Sequence, residues 1–62
     1  MNKAIMEEKY YTIHEVAGLL KVAYLTVYRW IQAGKLKSYK AGKQYRVDEK
    51  DLKEFMVQHV TN

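Results

Sequence analysis

The 62-residue sequence contains no cysteine. This absence excludes disulfide bonds and thiolate metal sites. A domain this small usually depends on a disulfide, a metal or a partner to reinforce its core, so a binding partner is the remaining source of reinforcement. A cysteine-free chain is also compatible with the reducing environment of the cytosol.

Long apolar runs are absent as well. No segment reaches the roughly 20 apolar residues of a transmembrane helix, and the N-terminal MNKAIMEEKYYT has no apolar stretch typical of a secretory signal. We therefore expect a cytoplasmic protein with no membrane partner. Hydrophobic residues at 48% and charged residues at 29% are typical of a globular domain too short for two cores. The prediction is one domain over residues 10–60, preceded by a flexible segment over residues 1–9.

Patterns of catalytic or cofactor-binding sites are missing too. Ser38 is the only serine and lies in no nucleophile motif, and the three glycines are isolated, which excludes a glycine-rich phosphate loop. His14 and Glu15 resemble the start of a zinc-protease motif, but Gly18 occupies the place of its second histidine. His59 has no partners at metal-ligand spacing. We predict that the chain is not an enzyme and has no metal, cofactor or small-molecule ligand.

Acidic residues are absent from residues 21–47, although the net charge of the whole chain is only +4. The flanking segments are slightly acidic. An uninterrupted positive region in such a chain is typical of a protein that binds a polyphosphate backbone, although a solvated lysine-rich surface is the alternative. The basic residues of this segment are Lys21, Arg29, Lys35, Lys37, Lys40, Lys43 and Arg46.

Apolar spacing predicts two short helices joined by a tight turn. The first begins after Thr12, which stands at capping-box spacing from Glu15. The second covers residues 24–33 and ends at Gly34, which is predicted to adopt the left-handed conformation. This is the helix-turn-helix pattern, whose second helix can enter the DNA major groove. Inward residues are expected to be Ile13, Val16, Ala17 and Leu20 in the first helix, and Ala23, Val27, Trp30 and Ile31 in the second.

A β-hairpin and a third helix are predicted after the second helix. Runs over residues 35–40 and 44–47 flank the connection Ala41–Lys43, and Tyr45 and Val47 alternate inward against Gln44 and Arg46. Asp48 is predicted to cap the third helix. Its inward face is expected to comprise Leu52, Phe55 and Met56, extended by His59 or Val60.

These elements and their residues resemble the small winged helix-turn-helix domains of the MerR superfamily, in its excisionase-like branch. YTIHEVAGLLKV resembles the first helix and turn of that family, TVYRWIQAGKLKSYKAGKQYRV the recognition helix and wing, and DEKDLKEFM the closing helix. The fold class implied is mainly α with a small β-hairpin, a winged helix-turn-helix. The family usually has glycine, valine and serine through the turn, where this chain has Lys21, Val22 and Ala23.

The resemblance implies DNA contacts from the second helix and from a wing over residues 40–46. The base-reading residues are then predicted to be Tyr24, Leu25, Tyr28, Arg29 and Gln32. Arginine or lysine is common in the family at the first two of these positions, so Tyr24 and Leu25 predict a different sequence preference or a protein contact. Phosphate contacts are predicted for Lys21, Lys35, Lys37, Lys40, Lys43 and Arg46, and four to six of them would give a slope of log affinity on log salt of roughly −4 to −5.

Three functions are compatible with these residues. The resemblance favours an excisionase, which directs a site-specific recombinase of a bacterial or phage mobile element. Its expected partners are double-stranded DNA, the recombinase and further copies of the chain on repeated sites. A small transcriptional regulator would use the same DNA contacts. A protein-interaction module would instead use the exposed Tyr24, Leu25 and Tyr28.

Overall fold

The computed structural model describes residues 9–59. Helices and strands follow in the order β1 (Tyr10–Tyr11), α1 (Ile13–Leu20), α2 (Tyr24–Gln32), β2 (Tyr39–Ala41), β3 (Gln44–Asp48) and α3 (Glu49–His59). The strands form an antiparallel sheet in the order β1-β3-β2, so that β3 is central, and α1 and α3 both contact it. This architecture confirms the predicted winged helix-turn-helix fold. None of the helices within residues 9–59 is long and apolar enough to cross a membrane.

The core is built from the three helices, from β3 and from the segment between α2 and β2. Most of the residues expected to face inward are buried or pack against the buried cluster, but Ala23 is exposed and that prediction was wrong. Ala23 is the N-cap of α2 with extended backbone, so its side chain lies outside the helical stripe that faces the core. The buried residues are Ile13, Val16, Ala17, Val27, Leu36, Val47, Leu52 and Phe55.

The predicted capping box of α1 is present. The Thr12 hydroxyl accepts a hydrogen bond from the Glu15 backbone N–H at 3.1 Å, and the Glu15 carboxylate accepts one from the Thr12 N–H at 2.9 Å. The predicted cap of α3 is present too, since the Asp48 carboxylate accepts from the Lys50 N–H at 3.1 Å. Local side chains therefore fix where both helices begin.

Helices α1 and α2 end with the same hydrogen-bond pattern. After α2, the N–H groups of Gly34 and Lys35 donate to the carbonyls of Ile31 and Trp30, and Gly34 has the predicted left-handed backbone with φ of 79°. After α1, the N–H groups of Lys21 and Val22 donate to the carbonyls of Gly18 and Ala17, three and five residues earlier, forming the same Schellman motif. Its left-handed position is held by Lys21, with φ of 58°. Lysine thus adopts a conformation here that favours glycine.

The hairpin begins later than its sequence pattern predicted. Its first strand is Tyr39–Ala41 rather than residues 35–40, because the end of α2 uses the preceding backbone: the Leu36 N–H donates to the Trp30 carbonyl at 3.2 Å. The connecting turn is Gly42–Lys43. Gly42 has φ of 66° while Lys43 does not have positive φ, the φ pattern that a two-residue type II′ turn requires.

Strand β1 was not predicted. Tyr10 pairs with Asp48 and Tyr11 with Val47, and the Lys9 carbonyl accepts from the Glu49 N–H at 3.0 Å. Paired backbone therefore starts one residue inside the segment that was expected to be flexible. Residues 1–8 of that segment, and Val60 at the end of the predicted domain, lie outside the described residues.

Candidate nucleic-acid interface

The outward face of α2 carries all five residues predicted to read bases. Tyr24, Leu25 and Tyr28 are 45%, 51% and 36% exposed, while Val27 on the opposite face is fully buried. Arg29 and Gln32 are exposed as well. Helix α2 is thus fixed to the core by one side and presents aromatic, aliphatic and basic side chains on the other.

Tyr45 connects this face to the wing. Its hydroxyl accepts a hydrogen bond from the Gln32 side-chain amide at 3.2 Å, and its ring lies edge-on to the ring of Tyr28, with centroids 6.1 Å apart. The Lys40 ammonium lies 5.4 Å from the Tyr45 ring centroid, within the range of a cation–π contact. Helix α2 and the wing are therefore held beside each other by a half-buried tyrosine of β3.

The alternation of inward and outward residues along β3 predicted only that Tyr45 packs in the core. Its contacts with α2 were therefore missed. The signal available was its hydroxyl, because a partly buried tyrosine usually finds a hydrogen-bond partner. The partner is Gln32, whose amide is thus engaged within the protein although Gln32 was predicted to contact a base. Trp30 and Phe55, also predicted to pack in the core, contact each other with ring centroids 4.7 Å apart.

A cleft separates the first turn of α1 from the tip of the wing. On its helical side the ring of His14 lies 4.6 Å from the ring of Tyr24, and Lys43 of the hairpin turn lies on the opposite side. His14 was not predicted to belong to the site, since its contact depends on how the turn between α1 and α2 folds. The residues that line the cleft are Thr12, Ile13, His14, Tyr24, Lys43, Gln44 and Tyr45.

All seven basic residues of the acid-free segment are exposed, and none forms an ion pair within residues 9–59. The structure divides them among several surfaces. Lys40 and Lys43 lie at the junction of α2 and the wing, whereas Arg46 lies on the outer face of the sheet beside Tyr10 and Tyr39. Lys21 lies in the turn before α2.

Lys35 and Lys37 lie elsewhere. They line a separate cleft of about 450 Å³ that also includes Asp51 and Glu54 of α3. Acidic neighbours reduce the positive potential around these two lysines. Within the described part of the chain, no three histidine, aspartate or glutamate side chains are grouped as metal ligands could be.

The fold and this exposed surface define a helix-turn-helix domain with a wing, a class that binds DNA through its second helix. The comparison with protein families agrees, because residues 10–59 match the family model described as "Helix-turn-helix domain". The chain belongs to this family of helix-turn-helix domains.

The chain is also similar to "Uncharacterized protein YvgK" of Bacillus subtilis (strain 168). The two are 59% identical over 49 residues, which cover 79% of this chain and 16% of that protein. The chain thus spans only about a sixth of the length of this bacterial relative. No solved structure matches the chain.

Proposed function

We propose that this chain binds double-stranded DNA at specific sequences, with α2 in the major groove and the wing over residues 40–46 against the adjacent backbone or minor groove. The observation that supports it best is the contact of Gln32 and Tyr28 with Tyr45, which holds the exposed face of α2 and the wing side by side. A rigid pairing of the two elements allows both to engage one duplex without being ordered on binding.

The proposed base contacts follow from the exposed side chains of α2. An α-helix is about 10–12 Å across with its side chains, which fits the major groove of about 12 Å, and the nine-residue α2 would present its exposed face to it. Arg29 has the donors for bidentate contact with guanine, and Leu25 can pack on a thymine methyl group. Tyr24 and Tyr28 are further proposed base contacts. Gln32 would contact a base only if its amide exchanged Tyr45 for that base.

The proposed phosphate contacts come from the exposed cations. Contacts to phosphate position a protein on the duplex but carry no information about the DNA sequence. Lys21, Lys40 and Lys43 lie beside α2 or the wing, and they are the strongest candidates. Arg46 would contact phosphate from the outer face of the wing. Lys35 and Lys37 are weaker candidates because acidic side chains of α3 share their cleft.

The proposed cellular role is that of an excisionase, acting with a site-specific recombinase and with further copies of the chain on repeated sites. This role is supported by the resemblance of the wing and helices to the excisionase-like domains. A transcriptional regulator is the second candidate. It is favoured by the relative from Bacillus subtilis, in which the 59% identical segment is a small part of a longer chain.

DNA binding is tested by fluorescence anisotropy with a labelled random-sequence duplex across a salt series. We expect binding with a slope of log affinity on log salt of roughly −4 to −5, shallower by about 1 to 2 in an Arg29→Ala, Lys43→Ala double variant. Lys53→Ala, which removes an exposed lysine of α3, serves as the matched control and should leave the slope unchanged. No binding at low salt would reject the proposal and favour a protein partner for Tyr24, Leu25 and Tyr28.

The cellular role is tested with the DNA site that the protein selects from a random pool. An excisionase predicts that this site recurs near the ends of a mobile element, and that the protein stimulates excision by the recombinase encoded there. A regulator predicts that the site overlaps a promoter, and that the protein changes transcription from it with no recombinase present.

A further inference from the structure

We infer that the cleft between the start of α1, the start of α2 and the hairpin turn binds one phosphate group of the DNA backbone, and that His14 contacts this phosphate. The inference rests on the proposed DNA binding. It adds a contact residue that lies on neither the recognition helix nor the wing.

The size of the cleft fits this ligand. Its volume is about 260 Å³, and it is lined by residues from both helices of the helix-turn-helix and from the hairpin. At about 30 Å³ per water molecule in the liquid, this is the volume of roughly nine waters, ample for one phosphate group. The cleft lies between α2 and the wing tip, both proposed to contact the same duplex.

The chemistry of the lining favours an anion. The lining includes Lys43, which carries an ammonium group, His14, which has a ring N–H, and Gln44, which has an amide. Among residues 9–59, no acidic side chain lines the cleft. The neighbouring carboxylate of Glu15 is directed to the Thr12 N–H, where it accepts the hydrogen bond of the capping box at 2.9 Å.

The ring of His14 packs against a neighbouring ring. Its ring lies 4.6 Å from the ring of Tyr24 at an interplanar angle of 48°, so each side chain restricts the motion of the other. A donor that is already ordered loses little conformational entropy on binding. Tyr24 begins the helix proposed to enter the major groove, and the edge of that groove is formed by backbone phosphates. A phosphate is therefore the DNA group expected beside His14.

The test compares His14→Ala and His14→Gln with the unmodified chain, using anisotropy with the same random-sequence duplex. His59→Ala is the matched control, because His59 is also exposed and its ring also lies 4.6 Å from an aromatic ring, that of Phe55 in α3. Circular dichroism melting verifies that each variant folds. We expect His14→Ala to weaken binding about three- to tenfold, while His59→Ala stays within about twofold.

Two further measurements make the test specific to a phosphate contact. The glutamine in His14→Gln retains an N–H donor, so it should recover part of the affinity lost in His14→Ala. In a Lys43→Ala background the effect of His14→Ala should be smaller, because two groups that share one ligand do not act additively.

The possible failures are distinguishable. If the unmodified chain binds DNA and both His14 variants bind it with the same affinity as the unmodified chain, the phosphate site is wrong while the proposed DNA binding stands. Equal losses in His14→Ala and His59→Ala would also overturn the site, since they would indicate a general effect of removing a histidine. If the unmodified chain binds no duplex at low salt, the proposed function fails and the site fails with it.

Discussion

At the scale of single residues, Lys21 and Gly34 occupy equivalent positions at the ends of α1 and α2. Both have a left-handed backbone, with φ of 58° and 79°, and both close a Schellman motif. Glycine adopts this conformation without penalty, whereas a residue with a Cβ atom pays roughly 1–2 kcal/mol. Lys21 also precedes the proposed recognition helix and adds a positive charge there. The chain thus places a strained residue where a cation would serve the proposed DNA binding.

This arrangement predicts that Lys21→Gly stabilises the fold and weakens DNA binding. We expect the free energy of unfolding to rise by roughly 1 kcal/mol, which corresponds to about 4–8 °C in melting temperature for a domain of this size. The slope of log affinity on log salt should become shallower by about 0.9, the amount expected for one phosphate contact. Thermal melting and anisotropy over a salt series measure the two effects.

Lys21→Ala separates strain from charge in the same experiment. Alanine keeps the Cβ atom, so the melting temperature should stay near that of the unmodified chain while the salt slope falls as it does in Lys21→Gly. If the glycine and alanine variants melt at the same temperature, the backbone at this position is not strained. If both retain the full salt slope, Lys21 does not contact phosphate.

At the scale of helices and strands, local signals account for most of what the sequence predicted correctly. The helices followed from apolar spacing together with the capping residues Thr12 and Asp48. The first strand of the hairpin was misplaced because the backbone of Lys35 and Leu36 completes the end of α2 instead. Strand β1 has two residues, too few to show a period, and it exists only because β3 offers an open edge.

The candidate site was predictable only in part for the same reason. Exposure along α2 follows from helical geometry, and the five outward residues could be identified from their spacing. The contact of Gln32 with Tyr45 and that of His14 with Tyr24 join separate elements. Such contacts depend on how the helices and the hairpin pack against one another, which no local pattern encodes.

The link between α2 and the wing predicts the behaviour of Tyr45→Phe. Removing the hydroxyl leaves the Gln32 amide without this partner and loosens the wing, so we expect a loss of about 0.5–1.5 kcal/mol in the free energy of unfolding. Affinity for a random duplex should fall about two- to threefold, because a looser wing must be ordered on binding. Chemical denaturation and anisotropy measure these changes.

Tyr39→Phe is the appropriate control for this variant. Tyr39 is exposed on the outer face of the same hairpin, and its ring contacts Tyr10 rather than α2. Tyr39→Phe should change neither the free energy of unfolding nor the affinity for the duplex by a comparable amount. Should Tyr45→Phe match the unmodified chain in both measurements, the hydrogen bond does not couple the wing to the recognition helix.

At the scale of the whole molecule, the small core and the exposed basic residues both affect the stability of the fold. The buried cluster contains eight residues of the described part of the chain, and a domain this small has little stability of its own. The cations beside α2 and the wing, Lys21, Lys40 and Lys43, are exposed and form no ion pair within residues 9–59, so they repel one another. A polyanion that neutralises them would bind the folded chain more tightly than the unfolded chain. Binding and folding are therefore thermodynamically linked.

This linkage predicts that duplex DNA raises the melting temperature of the chain. At a free duplex concentration of about 100 times Kd the expected stabilisation is about 2.7 kcal/mol, or roughly 10–20 °C for a domain of this size. Because affinity depends on counterion release, the shift should shrink as salt is added, and it should be smaller in the Arg29→Ala, Lys43→Ala variant at every salt concentration. Melting by circular dichroism at low and high salt provides the measurement. A shift that is unchanged by salt and by these substitutions would contradict the linkage, since stabilisation would then arise without the basic residues proposed to contact the DNA.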